Sequence, residues 1–316
     1  MTLLKKYKNI SKIKNKDIKT YNSVKINQHS KHFLGINSEN KVALLFNATK
    51  PKGKTENIKY LNLEHAVPCN IYINKRKQKI NLSILKCDSD NENIKEIFLR
   101  SIDNLANSVS NDISEKKIYE MTKSLIELFE KITKNRDKDL IGFWGELFII
   151  NLLKSKELLI EAWHPDKKDT FDFLINNHAL EIKTTSTNNR IHKFKYEQLN
   201  SKNTSIIIGS IMIRKSRSGM SLLNLKNNIL KKINQEHLKS KLQSMYDIMT
   251  GSKTKLELEE IKFTYDYAKN HLTFFNAKLV PRIREDLMSG IKNIKFESNL
   301  NGVKSINNLN KYKFLK

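Results

Sequence analysis

The sequence predicts an α/β (α+β) fold whose centre has the order helix, three strands, helix, strand. Residues 140–154 are apolar around most of a helical circumference, which is typical of a helix buried against a sheet. Short apolar runs follow it, and a helix is predicted near 193–199 before the last of them. The runs predicted to be strands are 158–163, 171–175, 179–183 and 205–213. This order indicates helices packed on a sheet.

The segments before this core predict separate modules. Residues 1–22 are rich in lysine and weakly patterned, and they predict a basic arm. Residues 23–110 predict a β-rich module with a packing helix, because short apolar runs alternate with turn-like segments before a helix opens near Asp88. The core module is placed at 111–217, and another amphipathic helix opens in it at Ser114.

Residues 218–316 predict a mixed accessory module. Helical spacing of apolar residues covers about 221–234 and 236–249. Strand-like runs cover 257–267 and 272–280. No internal repeat is visible in the chain.

The chain has a large excess of positive charge. Its 316 residues include 58 Lys and Arg against 33 Asp and Glu, a formal charge of +25. This favours nucleic acid as a partner, although a low-GC genome would inflate lysine in any protein. No apolar run has the length of a signal-peptide core or a membrane-spanning helix, so a cytoplasmic protein without a membrane partner is expected. Cys69 and Cys87 are expected to be buried free thiols.

Two acidic residues in neighbouring apolar strands are the most informative feature of the sequence. Asp172 lies in one strand and Glu181 in the next, and a carboxylate in an apolar strand is costly unless its charge is compensated. Asn176-Asn177 suits a two-residue hairpin turn, which would bring the two carboxylates together. Adjacent carboxylates of this kind favour a cation between them.

A lysine and a third acidic residue extend this group. Strand alternation places Lys183 on the same face as Glu181, with Ile182 turned to the opposite layer. The group suits hydrolysis of a phosphodiester: Mg²⁺ bridges Asp172 and Glu181, while Lys183 stabilises the attacking hydroxide or the developing charge. Glu146, on the preceding helix, is placed to hold a water on the metal or a second ion. These residues predict a metal-dependent phosphodiesterase site.

Hydroxyl and basic side chains around this group are candidates for contacts with DNA phosphates. The hydroxyls are those of Thr184 and Thr185. The basic residues are interpreted either as phosphate clamps or as a solvated rim, and they are Arg190, Lys193, Lys195, Arg214, Lys215 and Arg217. Bidentate guanine recognition favours arginine, and the chain has only eight. Sequence-specific recognition would therefore need Arg282, Arg284 or the N-terminal β module.

The arrangement resembles the PD-(D/E)XK nuclease superfamily, whose core has Asp on its second strand and Glu-x-Lys on its third. The resemblance covers about residues 137–215. Phe171 stands where the motif has proline, and the literal Pro165-Asp166 lies in a polar loop. The resemblance implies a site with Mg²⁺, for which Mn²⁺ can substitute. It places Ile182 with the two strand carboxylates as metal ligands and adds Gln198, on the following helix, to the catalytic residues.

Further residues make the chain similar, over most of its length, to a family of bacterial restriction-associated proteins within that superfamily. They are residues 142–146, Trp163, 172–173, 181–185, 198–199 and 280–283. The similarity implies an endonuclease of a restriction or phage-defence system that acts on double-stranded DNA. A homodimer is expected, because one site per chain cuts one strand. Companion methyltransferase or ATPase subunits are the other expected partners.

Other interpretations stay open, because an acidic-x-Lys triplet is frequent in a lysine-rich chain. Further copies begin at Asp17, Glu115, Asp166 and Glu260. If the triplet at Glu181 is one of these chance copies, the segment 171–185 is an ordinary charged hairpin. A catalytically silent DNA-binding or scaffold subunit and an RNA-binding protein are the alternatives to an enzyme. Isolated aromatic and imidazole groups are read as structural, without a zinc site, and they are Trp144, Trp163, His164, His178 and His192.

Overall fold

The computed structural model describes residues 2–10, 19–48, 54–73, 76–134, 140–163, 170–201, 203–283, 291 and 293–315. The chain divides into two compact units: residues 1–136 with 247–254, and residues 137–246 with 255–316. Both units contain helices and strands, so the predicted mixed α/β class is confirmed. The finer division into four segments stays a prediction. Of the residues singled out above, Asp17, His164, Pro165-Asp166 and Arg284 lie outside the described residues.

The first unit is built on a small closed barrel. Its strands are β1 (Thr20–Lys25), β2 (Phe33–Ile36), β3 (Val42–Phe46), β4 (Glu56–Ile58), β5 (Leu61–Ile73) and β6 (Arg76–Cys87). The strands pair in the order β1-β2-β3-β6-β5, and β1 also pairs in parallel with β5, which closes the barrel. The short β4 pairs with the first part of β5. Closure protects the edges that an open sheet would expose.

The barrel interior is apolar and contains one of the two cysteines. Cys69 packs there with Tyr21, Phe33 and Ile71. Cys87 belongs to the core on the other side of the sheet, and both thiols are buried and free, as expected. Burial raises the pKa of Cys69 to about 11 and that of Cys87 to about 12, so both stay protonated and unreactive at neutral pH.

Three helices pack with this barrel. They are α1 (Leu3–Ile10), α2 (Glu92–Ser108) and α3 (Glu115–Lys134). Residues 3–10 of the predicted basic arm form helix α1, in which Leu3, Tyr7 and Ile10 repeat at helical spacing and are buried in the core. The helix predicted to open near Asp88 is α2. Its cap is Asn91, whose side chain accepts a hydrogen bond from the main-chain nitrogen of Asn93.

The second unit surrounds a four-stranded sheet. Its helices are α4 (Leu140–Leu152), α5 (Lys156–Ala162), α6 (Leu222–Leu230), α7 (Glu236–Thr250, of which residues 247–250 belong to the first unit), α8 (Lys255–Glu259) and α9 (Tyr265–Asn270). Its strands are β7 (Phe173–Ile175), β8 (His178–Thr185), β9 (Ile191–Lys195), β10 (Ser205–Met212), β11 (Lys215–Ser221), β12 (Lys262–Phe263), β13 (Leu272–Asn276) and β14 (Lys295–Asn299). The sheet has the order β13-β10-β8-β7, with β8 and β10 parallel. None of the helices in the described residues is long and apolar enough to cross a bilayer.

Three predicted elements of this unit are wrong. The first strand of the core, 158–163, is helix α5 followed by a single bridge from Trp163 to Phe173. The helix predicted near 193–199 is instead the end of strand β9 followed by a 3-10 turn over Tyr196–Gln198. The strand-like run 257–267 is broken into α8, β12 and α9. The apolar residues of these segments do not by themselves distinguish a short strand from one turn of helix.

The predicted hairpin of Asp172 and Glu181 is present. Strands β7 and β8 pair antiparallel from Ile175 and His178 at the turn to Phe173 and Leu180. Asn176 adopts a φ of 51°, the left-handed conformation that asparagine tolerates better than other non-glycine residues. The two-residue turn therefore fixes the register that brings the residues before β7 beside the middle of β8.

Helix α4 approaches strand β8 very closely at Gly145. A Cβ atom at Gly145 would stand 2.0 Å from Thr184 Oγ1 and 3.4 Å from Ile182 Cγ2. The side chain of Glu146, the next residue along α4, is therefore held at a fixed depth relative to β8. A residue without a side chain is required here by space and not by backbone conformation.

Gly145→Ala is expected to lower the free energy of unfolding by about 1–3 kcal/mol, because the new methyl group forces α4 away from β8. This loss should outweigh the gain of about 1 kcal/mol from alanine in a helix. Urea unfolding measures it. Adding Thr184→Ala removes the colliding hydroxyl and should restore part of the loss. Equal stability of the Gly145→Ala variant and the unmodified protein would contradict the close contact.

Candidate active site

Asp172 lies directly before β7 and contacts the main chain of β8. The main-chain nitrogen of Ile182 donates a hydrogen bond of 2.7 Å to Asp172 Oδ2. The last residue of β8 that pairs with β7 is Leu180. Alternate residues of a strand direct their main-chain groups to the same edge, so Ile182 follows Leu180 in this respect. The main-chain groups of Ile182 therefore point to the edge where Asp172 lies.

The carboxyl group of Asp172 is in an unfavourable electrostatic position. Burial raises its pKa well above the ordinary value, and the nearby charges of Glu181 and Glu146 raise it further. The hydrogen bond from Ile182 and the charge of Lys183 act in the opposite direction but do not compensate. The three carboxyl groups predicted to share one site are thus close enough to influence one another. A cation in this position would relieve the repulsion.

Glu181 is buried, with an exposed fraction of 3%. Its Oε1 forms an ion pair with Lys183 Nζ at 2.8 Å and accepts a hydrogen bond from Gln198 Nε2 at 2.5 Å. Its Oε2 is also buried but has no hydrogen-bond partner among the residues that the structure describes. A buried carboxylate oxygen without a donor is costly, and a metal ion is one group that would satisfy it.

Gln198 connects the candidate residues to their surroundings. Its Oε1 accepts hydrogen bonds from Lys183 Nζ at 3.3 Å and from the main-chain nitrogen of Lys195 at 3.0 Å. Its Nε2 donates to the carbonyl of Thr170 at 3.0 Å as well as to Glu181. The structure thus brings Gln198 to the site as predicted, although from a 3-10 turn and not from a helix.

Lys183 is held by more than its carboxylate partner. Its Nζ lies 5.0 Å from the centre of the Phe194 ring, in a cation–π contact that the sequence analysis missed. Phe194 is buried, and its position two residues after the buried His192 in β9 is the strand alternation that could have revealed it. The ammonium group is therefore fixed between a carboxylate, an amide and an aromatic ring.

Glu146 is oriented by a tryptophan. Trp163 Nε1 donates a hydrogen bond of 2.7 Å to Glu146 Oε2, and the Trp163 ring stacks on Phe143 at 5.8 Å. Trp163 was expected to pack in the core, and it does so, with an exposed fraction of 1%. The contact with Glu146 was not predicted. The indole N–H group could have indicated it, because a buried tryptophan needs a hydrogen-bond acceptor.

The two threonines after Lys183 have different surroundings. Thr184 faces Gly145 on the α4 side of the sheet, and its buried hydroxyl has no partner among the described residues. Thr185 shares a hydrogen bond of 2.9 Å with the hydroxyl of Thr187 and is partly exposed. A phosphate contact is therefore geometrically simpler for Thr185 than for Thr184.

Arg190 has a structural role. Its Nη1 donates to the carbonyl and hydroxyl of Ser210 at 2.7 and 2.8 Å, and its Nη2 donates to the carbonyl of His271 at 2.8 Å. These bonds join β10 to the segment before β13. Buried His192 also bonds to Ser210, and burial with the charges of Lys183 and Arg190 lowers its pKa to about 4. His192 is therefore neutral, as a structural histidine should be.

The other predicted DNA-contacting residues lie at the surface or near it. Lys193 is exposed and lies 3.7 Å from Glu297 on β14. Lys195 is half-buried beside Gln198. The guanidinium group of Arg214 stacks over Tyr267 at 4.3 Å, and Arg217 is exposed on β11. Of this set, the side chains of Lys193, Arg214 and Arg217 are the most accessible to a polyanion.

The residues fit a divalent cation through two carboxylates and a carbonyl. Across the described residues, no cluster of three or more His, Cys, Asp or Glu side chains is arranged to hold a metal ion. Asp172, Glu181 and the main chain of Ile182 offer a smaller oxygen set, and Glu181 Oε2 lacks a partner there. Mg²⁺ commonly binds through one or two carboxylates, with water and substrate phosphate as its other ligands.

Gln198→Ala is expected to reduce the activity of the site about tenfold, because Glu181 and Lys183 each lose a hydrogen bond that fixes their position. Glu197→Ala is the matched control, since Glu197 is exposed in the same turn. Cleavage rates measured over a range of metal concentrations would separate weaker metal binding from slower turnover. Equal rates for the two variants would contradict the positioning role of Gln198.

Comparison with known proteins matches the chain to a protein family. A family model, DUF4420, described as "Putative PD-(D/E)XK family member", matches residues 3–301, which is nearly the whole chain. No curated protein and no solved structure matches the chain. The resemblance to the PD-(D/E)XK superfamily that was read from the residues is confirmed by this match.

Proposed function

The chain belongs to the DUF4420 family, and on this premise we propose that it is a Mg²⁺-dependent DNA endonuclease of a restriction or phage-defence system. The observation that carries the proposal is a group of buried carboxyl groups: Asp172 accepts a hydrogen bond from the main chain of Ile182 in β8, and burial with nearby Glu181 and Glu146 raises its pKa. The buried Oε2 of Glu181 lies in the same group and has no donor among the described residues. This group favours a divalent cation, and the charge of +25 favours a polyanionic substrate.

Each residue has a distinct role in this proposal. Asp172, Glu181 and the carbonyl of Ile182 would hold the metal, which supplies Lewis-acid polarisation of a phosphate oxygen. Lys183 presents a fixed ammonium group to the negative charge that develops on the phosphate. Glu146, oriented by Trp163, is placed to accept a proton from the attacking water. Double-stranded DNA as the substrate, cutting by a dimer and companion subunits belong to the same proposal.

One observation favours a second candidate, a catalytically silent DNA-binding subunit with the same fold. Glu181 Oε1 is already saturated by Lys183 and Gln198, and the side chain is almost completely buried. In a silent subunit these contacts would hold Glu181 in place without a metal ion. The silent subunit would bind DNA with a salt dependence set by its Lys and Arg contacts, and Asp172→Asn would leave that binding unchanged.

Turnover on plasmid DNA distinguishes the two candidates. We expect nicked or linear product from supercoiled plasmid with Mg²⁺ or Mn²⁺ and none with EDTA. Structured RNA, incubated in parallel, tests the choice of nucleic acid. DNA binding without product under every metal condition would contradict the nuclease and support the silent subunit.

A further inference from the structure

A cavity of about 400 Å³ opens beside the 3-10 turn that carries Gln198. Tyr196 and Leu199, on either side of Gln198 in the turn region, line this cavity. Gln198 itself contacts Glu181 and Lys183. The same short segment of chain therefore borders the candidate active site and the cavity.

The lining of the cavity is cationic and polar. Thirteen described residues line it, and none of them is acidic. Three carry positive charge, Lys278, Arg282 and Lys311, and no ion pair is found for any of them in the described part of the chain. Serine, threonine and asparagine side chains supply further donors and acceptors. The uncompensated charge favours an anion, and the mixed polar groups favour an organic one.

The cationic side is anchored to the protein. Arg282 Nη1 donates a hydrogen bond of 2.8 Å to the carbonyl of Ala277, which fixes the guanidinium group at the wall. The main-chain nitrogen of Lys278 donates to Asn276 Oδ1 at 3.0 Å. A preorganised arginine with a neighbouring lysine is well suited to a phosphate group.

Two tyrosines give the cavity an aromatic component. Tyr196 is half-buried in the turn, and its main-chain nitrogen donates to the carbonyl of Ile294 at 3.0 Å. Tyr312 is buried against His178, with ring centres 5.7 Å apart. Aromatic rings beside a positively charged groove are the usual contacts of nucleotide bases. A cavity of this volume is also large enough for a small organic ligand.

The register of the sheet places the cavity close to Glu181. Ile206 lines the cavity and stands two residues before Ile208, the partner of Glu181 in the parallel pair of β10 and β8. Two residues of a strand span about 7 Å and return to the same face. Ile206 therefore lies on the same face of the sheet as Glu181 and Lys183. The distance of about 7 Å along the strand is similar to the length of one nucleotide unit.

We propose that this cavity binds one nucleotide unit, with its phosphate on Lys278, Arg282 and Lys311 and its base against Tyr196. The nucleotide has two possible sources. The first, which rests on the proposed function, is a nucleotide of the bound DNA strand next to the cleaved bond. A free mononucleotide is the second source. Either way, the cavity extends recognition beyond the two carboxylates and Lys183.

The test is calorimetric titration in EDTA with 2′-deoxyadenosine 5′-monophosphate, and separately with deoxyadenosine and with inorganic phosphate. We expect saturable binding of the monophosphate and binding at least about tenfold weaker for each fragment. Lys278→Glu should weaken monophosphate binding by about tenfold or more. The matched control is Lys232→Glu, which makes the same charge change at an exposed residue after α6 and should have no such effect.

Absence of saturable monophosphate binding, or equal losses in the Lys278→Glu and Lys232→Glu variants, would overturn the proposal. Competition by a short DNA duplex separates the two sources. If the duplex displaces the monophosphate, the cavity binds a nucleotide of the bound strand. If the duplex does not displace it, the cavity binds a free nucleotide. Both results support a nucleotide site. Because these measurements need no turnover, a chain that binds the nucleotide but cuts no plasmid would contradict only the nuclease.

Discussion

Lys183→Ala is expected to reduce the rate of DNA cleavage by about 10²–10³-fold at saturating Mg²⁺, because the substitution removes the fixed charge that faces the reacting phosphate. Affinity for DNA should change little, since one of the chain's many cations is lost. Single-turnover cleavage of labelled duplex measures the rate, and fluorescence anisotropy in EDTA measures the affinity. The account thus predicts a loss of turnover without a loss of binding.

Two further variants separate the loss of the ammonium group at Lys183 from the loss of side-chain volume and from the loss of any one lysine. Lys183→Met retains an unbranched side chain of similar length without the ammonium group that lies over Phe194, and it should lose activity to the same extent. Lys232→Ala removes one exposed lysine elsewhere in the second unit and should cleave at the normal rate. Unchanged cleavage in a folded Lys183→Ala protein would remove Lys183 from the catalytic group.

Asp172→Asn should affect activity and stability in opposite directions. Cleavage is expected to fall by about 10²–10³-fold or more, because a charged metal ligand is lost. The metal-free protein should become more stable at neutral pH, since folding must keep Asp172 protonated beside Glu181 and Glu146 at a pH where the unfolded chain ionises it. Asparagine keeps an oxygen that can accept the hydrogen bond from Ile182. Thermal unfolding in EDTA measures the stability gain.

The pH dependence of this stability gain follows from the raised pKa of Asp172. In the unfolded chain Asp172 ionises near its ordinary pKa of 3.8, whereas in the folded protein it keeps its proton to a much higher pH. Between these two pKa values the folded state binds more protons, so the free energy of unfolding decreases as the pH rises. Asp172→Asn should remove this decrease. Parallel pH profiles for the two proteins, measured in EDTA, would contradict the electrostatic account.

Local sequence patterns were sufficient to predict how the candidate residues come together. The Asn-Asn turn between two apolar runs fixed the β7–β8 hairpin, and the two-residue period of a strand placed Lys183 beside Glu181. Gln198 was placed through the family resemblance, and it does contact both residues. Short-range spacing determines the contacts within the hairpin, so a single sequence reveals them, whereas the contacts of Gln198 came from the resemblance.

Contacts between distant segments could not be predicted. The parallel pairing of β1 with β5 that closes the barrel has no local signature. Strand β9 alternates exposed Ile191 with buried His192, but its partner β14 lies in a polar segment about a hundred residues later, without a strand-like pattern. The bonds from Arg190 to Ser210 and His271 likewise depend on the fold, so the sequence left Arg190 open between a phosphate clamp and a solvated rim.

Mn²⁺ binding tests most directly the central claim that Asp172 and Glu181 hold a divalent cation. Calorimetric titration of the metal-free protein should show at least one saturable site, with protons released as the carboxyl group of Asp172 ionises. The Asp172→Asn and Glu181→Gln variants should lose that site, while Lys232→Ala should keep it. Identical Mn²⁺ binding by the unmodified protein and both carboxylate variants would contradict the account.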